Sequence, residues 1–332
     1  MKKFSFKPAF GLQNRHLQTL FATFFRKLPL IDMDIEQFEL DDGDFIECFW
    51  NEKPKKEDTK PIVTLFHGLE GSYKSPYIQG MMCALKEAGF LSVIMHFRGC
   101  SGKENRLPRS YHSGETSDAK AWIKHLKTQY PHAPLFAVGY SLGGNMLLKL
   151  VSEYGDNSPL QASVSVSAPM QLDICATQMN KGFSKIYQAH LLKHLNASLL
   201  EKYKKHPMQE LLSFEEEKVK NVKTFWEFDG IYTAPIHGFS CASDYYKHSS
   251  SRQYLKNIRQ KTLIIHSLDD PFMTPEVLPK EEELSQSVTM ELYRNGGHVG
   301  FVSGSIFHPH YWLEERIVDY FIEIYQDSSQ KL

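Results

Sequence analysis

Three sets of residues in this sequence have the types and spacing for acyl transfer. The first is Gly139-Tyr140-Ser141-Leu142-Gly143, a Gly-x-Ser-x-Gly pattern. A β-prone run, Leu135–Tyr140, leads into the serine, and a helix-forming run, Leu142–Tyr154, follows it. Ser141 therefore falls on a sharp strand-to-helix turn that presents its hydroxyl above the sheet. Side chains at the flanking glycines would collide with the neighbouring strand and helix, and the helix N-terminus behind the serine favours developing negative charge. A serine alkoxide is inaccessible near neutral pH, so a base must take the proton. The second set supplies it: His298, in Asn295-Gly296-Gly297-His298-Val299-Gly300-Phe301, directly after the last expected strand. Of the fifteen histidines, His125, His190 and His194 fall on helices and His308 and His310 flank Pro309; none of these follows a strand in such a glycine-rich setting. The third set is Asp269-Asp270 before Pro271, just after the strand-like Thr262–His266. One of these two carboxylates is expected to accept the Nδ1 hydrogen of His298, fixing the tautomer and stabilising the imidazolium. The residues themselves leave both aspartates open.

A tetrahedral intermediate also needs donors for its oxyanion. His67-Gly68-Leu69-Glu70-Gly71 lies between a strand and a helix that starts near Pro76. The backbone amides of Leu69 and Leu142 are expected to form the oxyanion hole, each such donor contributing about 2.7–4 kcal/mol to the transition state. His67 itself reads as a brace for the loop. No His-Glu-x-x-His or Cys-x-x-Cys pair occurs, so neither a metal nor any other cofactor is expected.

These residues need elements to position them. Ile35–Leu40 and Phe45–Trp50 flank an Asp/Gly turn and predict a hairpin. Ile62–Phe66, Leu91–His96, Leu135–Tyr140 and Ala162–Ser167 read as short buried strands. Between them, Pro76–Ala88, Thr116–Tyr130 and Leu142–Tyr154 carry helical spacing. That alternation predicts βαβ units and a mostly parallel, doubly wound sheet. It stops at Pro169 and resumes near Lys261, with Thr262–His266 and Val288–Tyr293 as strands and Glu276–Leu284 and Tyr311–Tyr325 as helices. In between, Phe183, Tyr187, His190, Leu191 and His194 follow a helical period, and Lys218–Phe228 also reads as helix. The expected organisation is an N-terminal extension over 1–34 packed on the core, a core formed by 35–169 and 261–332, and a helical cap inserted at 170–260. The cap would wall an acyl or alcohol pocket.

The chain has 332 residues, 42% of them hydrophobic and 23% charged, which suffices for a substantial core. A formal charge of -1 gives no reason to expect nucleic acid as a partner. The lysine-rich stretch Glu201–His206 and the acidic Glu215–Glu217 read as solvated helix faces. The five cysteines are odd in number and widely spaced, which suits a reducing compartment better than a disulfide framework. Lys2 and Lys3 have no apolar run behind them, and Leu20–Phe25 is too short to span a bilayer before Arg26 and Lys27. A cytoplasmic protein without a transmembrane segment is expected, with peripheral lipid contact still open to it.

In this order the residues resemble the α/β-hydrolase superfamily, and more closely its YheT-like branch. The resemblance is carried by Asn14-Arg15-His16-Leu17-Gln18-Thr19-Leu20, the His67–Gly71 loop, and His96-Phe97-Arg98-Gly99-Cys100-Ser101-Gly102. It continues through Asn105–Gly114, Gly139–Asn145, Ser167-Ala168-Pro169, Asp269-Asp270-Pro271-Phe272 and Gly296–Phe301, and so runs almost end to end. It implies a carboxylesterase or lipase with charge-relay roles on Ser141, Asp270 and His298. Asp270 is preferred over Asp269 because many members place a small residue, here Ser267, three positions before the acid. The implied substrate is a small-molecule ester, a short- to medium-chain acyl ester or a lipid-like one, although substrate does not transfer with fold. A thioesterase or acyltransferase would use the same triad, and a binding protein on a hydrolase scaffold would need none of it. Arg98, Arg106 and Arg109, in the loop 97–114, could hold an anionic head group or tie the loop to carboxylates at the sheet edge.

Overall fold

The computed structural model describes residues 5–26 and 32–329; Lys2, Lys3 and Lys27 lie outside that description. Eight strands form one sheet in the order β1-β2-β4-β3-β5-β6-β7-β8. They are β1 (Asp34–Glu39), β2 (Phe45–Trp50), β3 (Ile62–Phe66), β4 (Leu91–Met95), β5 (Leu135–Tyr140), β6 (Leu160–Val166), β7 (Lys261–Ser267) and β8 (Val288–Tyr293). β1 and β2 form the antiparallel hairpin, β2 also runs antiparallel to β4, and every other pairing is parallel. The doubly wound sheet expected from the sequence is thus the one that forms.

Both faces of the central strands are buried, which explains their near-continuous apolar runs. Alternate side chains take opposite faces. Val63, Leu65, Phe136, Val138 and Leu263 pack with Ile78, Met81 and Leu85 of α2 (Pro76–Glu87). Trp312, Ile317 and Phe321 of the C-terminal helix close that layer. On the other face, Ile62, Phe66, Leu135, Ala137 and Ile264 meet Trp122 and Ile123 of α3 (Ser117–Gln129) and Met146, Leu150 and Val151 of α4 (Leu142–Tyr154).

Between β6 and β7 there are helices and turns and, among the described residues, no strand. The principal helices are α5 (Leu172–Gln178), α6 (Ser184–Lys205), α7 (Met208–Leu212), α8 (Glu216–Lys220), α9 (Phe225–Phe228), α10 (Ala234–Ile236) and α11 (Ala242–Ser249). They carry apolar clusters of their own, Leu192, Leu199, Val219 and Phe228 in one and Leu172, Ala176, Tyr245 and Tyr246 in another.

Three local expectations fail. Lys218–Phe228 is not one helix: α8 ends at Lys220, and Thr224 starts α9 with a capping box to Glu227. Glu276–Leu284 forms only two 3₁₀ turns, Pro275–Val277 and Glu281–Glu283. Pro279 forces Leu278 into extended backbone, at φ -71° and ψ 135°, so the helix cannot continue. Finally, Lys202 is not on a solvated face. It is 3% exposed and donates to Asn105 Oδ1 and to the carbonyls of Leu107 and Arg109, pinning α6 to the loop 97–114.

The N-terminal segment contains a helix, α1 (Arg15–Phe25), capped by the Asn14 side chain, which accepts from the amides of His16 and Leu17. After β8 a small ribbon, β9 (Val302–Gly304) with β10 (Pro309–Tyr311), leads into α12 (Trp312–Ser329). No described helix is long and apolar enough to cross a membrane.

Candidate active site

Ser141 sits between the end of β5 and the first turn of α4 at φ 51° and ψ -117°. A non-glycine residue in that conformation costs about 1–3 kcal/mol, which the surrounding structure must supply. It does so with the Ser141 amide donating to the Val166 carbonyl and the Ser141 carbonyl accepting from Asn145. The flanking glycines are required by space. A Cβ on Gly139 would lie 2.4 Å from the Gly143 carbonyl oxygen, and one on Gly143 would lie 2.5 Å from that of His67.

The structure brings His298 and Asp270 to this serine. His298 Nε2 lies 2.9 Å from Ser141 Oγ, and His298 Nδ1 lies 2.8 Å from Asp270 Oδ2. Asp270 is 2% exposed, and its other oxygen accepts from the Phe272 amide. The Phe272 ring stacks on the imidazole at 4.0 Å and 11°, so the histidine is held in its plane as well as by its edges. Asp269 faces elsewhere: it accepts from the Gly297 amide at 3.0 Å and from the Asn295 side chain. Ser267 Oγ donates to the Gly297 carbonyl, a second tie on the same loop.

The histidine loop is clamped from outside by α1, a contact that no local pattern announced. The His298 amide donates to Thr19 Oγ1. Gln18, with no solvent exposure, donates to the carbonyls of Leu12 and Val302 and accepts from the Val302 amide. The fit is close enough that a Cβ on Gly297 would meet the Arg15 carbonyl at 2.6 Å, and one on Gly300 would meet that of Gln18 at 2.3 Å. The segment 14–20 was visible as a motif, and only its spatial neighbour gives it a purpose.

Leu69 and Leu142 line the same cavity as Ser141, and among the described residues neither amide donates to a protein group. The turn carrying Leu69 is fixed on several sides. His67 Nδ1–H donates to the Gly68 carbonyl while Nε2 accepts from the Phe97 amide, so the ring braces the loop in its neutral form. Burial lowers its pKa to about 3. Glu70, at φ 55°, donates its amide to Tyr111 Oη, and that hydroxyl donates back to Glu70 Oε1.

The cavity in front of Ser141 encloses about 830 Å³, part of it open to solvent. Leu172, Ala176, Met179, Leu191, Leu195 and Phe225 form an apolar wall contributed by the helices between β6 and β7. The three arginines of the loop 97–114 are engaged with carboxylates. Arg98, 3% exposed, donates to both oxygens of Asp118 and to Asp42 and Asp44; Arg106 pairs with Glu39 and Arg109 with Glu115. Beside them, His112, Glu115 and His237 approach with ligand atoms within 4.8 Å of one another. His112 Nδ1 accepts from the Gly114 amide and Glu115 is paired with Arg109 and Ser117, while His237 Nε2 is buried with no hydrogen-bond partner among the described residues.

Comparison with known proteins agrees with this fold. Residues 61–305 match the family model described as the alpha/beta hydrolase fold. The chain is 46% identical to the Escherichia coli (strain K12) protein named "Putative esterase YheT", covering 95% of this chain and 92% of that one. It is 29% identical to the Bos taurus phospholipase ABHD3, over 86% of this chain and 71% of that one. Among solved structures, the Pyrococcus furiosus esterase Pf2001 superimposes with a TM-score of 0.55 at 14% identity, covering 88% of this chain and 93% of that one, which is a likeness of fold alone. The chain belongs to the α/β hydrolase family, in its YheT-like branch.

Proposed function

We propose that this protein is a serine hydrolase that cleaves carboxylic esters through an acyl intermediate on Ser141. Relatives named esterase and phospholipase support ester hydrolysis in general. The observation that most favours the finer reading is the continuous hydrogen-bonded series Ser141–His298–Asp270, opening onto a largely apolar cavity. In this reading Ser141 Oγ attacks the ester carbonyl carbon while its proton passes to His298 Nε2. Asp270 stabilises the imidazolium through Nδ1–H. The oxyanion accepts hydrogen bonds from the amides of Leu69 and Leu142, and collapse expels the alcohol, which takes the proton from Nε2. Water then attacks the acyl-serine by the same proton path, giving the acid and restoring Ser141.

We take 35–169 and 261–332 as the hydrolase core, 170–260 as the cap that walls the substrate cavity, and 1–34 as an extension. The α1 segment of that extension steadies the histidine loop. A reducing, cytoplasmic setting fits the five cysteines, all of which are free thiols. The test is a fluorophosphonate probe together with turnover of p-nitrophenyl esters. Wild type should be labelled and active, and Ser141→Ala should lose both without a change in melting temperature. Labelling or turnover that persists in Ser141→Ala overturns the assignment.

A further inference from the structure

The cavity that Ser141 opens onto is not apolar throughout. Asp229 lines it, together with Thr233, Tyr245 and Tyr246. A carboxylate facing a substrate cavity otherwise walled by leucine, methionine and phenylalanine is costly to keep there, and burial pushes its pKa up to about 6. The backbone at this point is also unusual. The stretch Asp229–Thr233 is a single π-helical turn, closed by the Ala234 amide donating to the Asp229 carbonyl, five residues back. Such turns are energetically poor and recur at functional sites. Tyr246 Oη donates to Asp229 Oδ2 at 2.7 Å and orients the carboxylate. Cys175 lines the same cavity as Asp229 and Ser141.

We infer that Asp229 is a polar contact point of the substrate cavity, and that the preferred esters carry a hydrogen-bond donor, a hydroxyl or an ammonium, at the end of the chain that fills it. This rests on Ser141 being the nucleophile in that same cavity. The apolar wall binds the methylenes, and the terminal donor gives Asp229 a partner in addition to Tyr246 and Thr233. A methyl-ended chain would bring apolar surface against the carboxylate and offer it no donor beyond those of Tyr246 and Thr233. That penalty is the kind by which enzymes reject analogues lacking a polar group.

The experiment uses the full chain and two substrate series: p-nitrophenyl esters varied in the acyl chain, and acetate esters varied in the alcohol. Each series has members of equal length ending in methyl, hydroxyl or ammonium. The expected result is that kcat/KM favours a donor-ended member at least tenfold over the methyl-ended one in one series, and that Asp229→Asn cuts that ratio at least tenfold. Asparagine still accepts from Tyr246, so a merely structural Asp229 would leave the ratio intact. If Asp229→Asn fails to fold, the ammonium-to-methyl ratio of wild type must rise between pH 5 and 7 as Asp229 ionises. The titratable groups facing it, Cys175, Tyr245 and Tyr246, are pushed up by burial and stay neutral over that range. No donor preference in either series, a preference that survives in Asp229→Asn, or a ratio flat with pH overturns the inference. Wild type that hydrolyses no ester and takes no fluorophosphonate label overturns the Ser141 reading instead, and this one with it.

Discussion

Asp269 and Asp270 are neighbours in the chain but serve different partners: Asp270 accepts from the ring of His298, whereas Asp269 accepts from the backbone amide of Gly297. One carboxylate meets the imidazole and the other shapes the loop that carries it. Asp270→Asn would present an amide to Nδ1 and favour the wrong tautomer, so kcat for ester hydrolysis should fall by about 10⁴-fold. Asp269→Asn keeps an acceptor for Gly297 and should lower kcat by about tenfold at most, a loss of roughly 1.4 kcal/mol. Steady-state kinetics of the two variants on one ester checks the contrast.

Thr19 holds the His298 amide from a helix 279 residues away in sequence. Thr19→Val keeps the shape of the side chain and removes that acceptor. The loop loosens around His298, so kcat should fall by about tenfold, roughly 1.4 kcal/mol, with KM nearly unchanged. Gln18→Leu strands the Leu12 carbonyl and the Val302 amide in a fully buried place and should cost about 3 kcal/mol of stability, read by urea denaturation.

Arg98 is a different kind of residue despite its place in a family-specific motif. Its guanidinium is buried among Asp42, Asp44 and Asp118. Arg98→Met leaves those carboxylates without their counter-charge and should destabilise the fold by about 3–5 kcal/mol. Fluorophosphonate labelling per folded molecule should stay at the wild-type level, because Arg98 does not line the Ser141 cavity. A variant that melts like wild type but loses labelling would contradict this division of roles.

Asp229 gives stability a pH dependence of defined sign. Its pKa in the fold is about 6, against 3.8 when unfolded. A raised carboxyl pKa means the folded state holds its proton more tightly, so this contribution is fully present below pH 3.8 and is lost as pH rises through 6. Asp229→Asn never pays for burying a charge. Its melting temperature relative to wild type should therefore increase from pH 4 to pH 7 and level off above. A difference that shrinks with rising pH would show that the carboxylate is better stabilised in the fold than its surroundings indicate.

What the sequence determined was set by short-range pattern. The strand, the Gly-x-Ser-x-Gly turn and the helix are contiguous, so the strained backbone at Ser141 could be read from residues 135–154. The glycines around His298 likewise announced a loop built for close approach. The alternating strands and helices fixed the sheet, because each strand buried on both faces leaves a distinct apolar run. Where local signals misled, a nearby residue overruled the period: Pro279 ended the expected helix at Glu276–Leu284, and Thr224 recapped the chain inside Lys218–Phe228. Only the tertiary structure decided which of two adjacent aspartates meets the imidazole, since that depends on the direction each carboxylate takes out of a turn. It also decided that Lys202 and Arg98 are buried, that segment 14–20 clamps the histidine loop, and that Asp229 faces the cavity. Each of these depends on a partner scores to hundreds of residues away, and a spacing rule that reaches a few residues along the chain carries no information about which surfaces will meet.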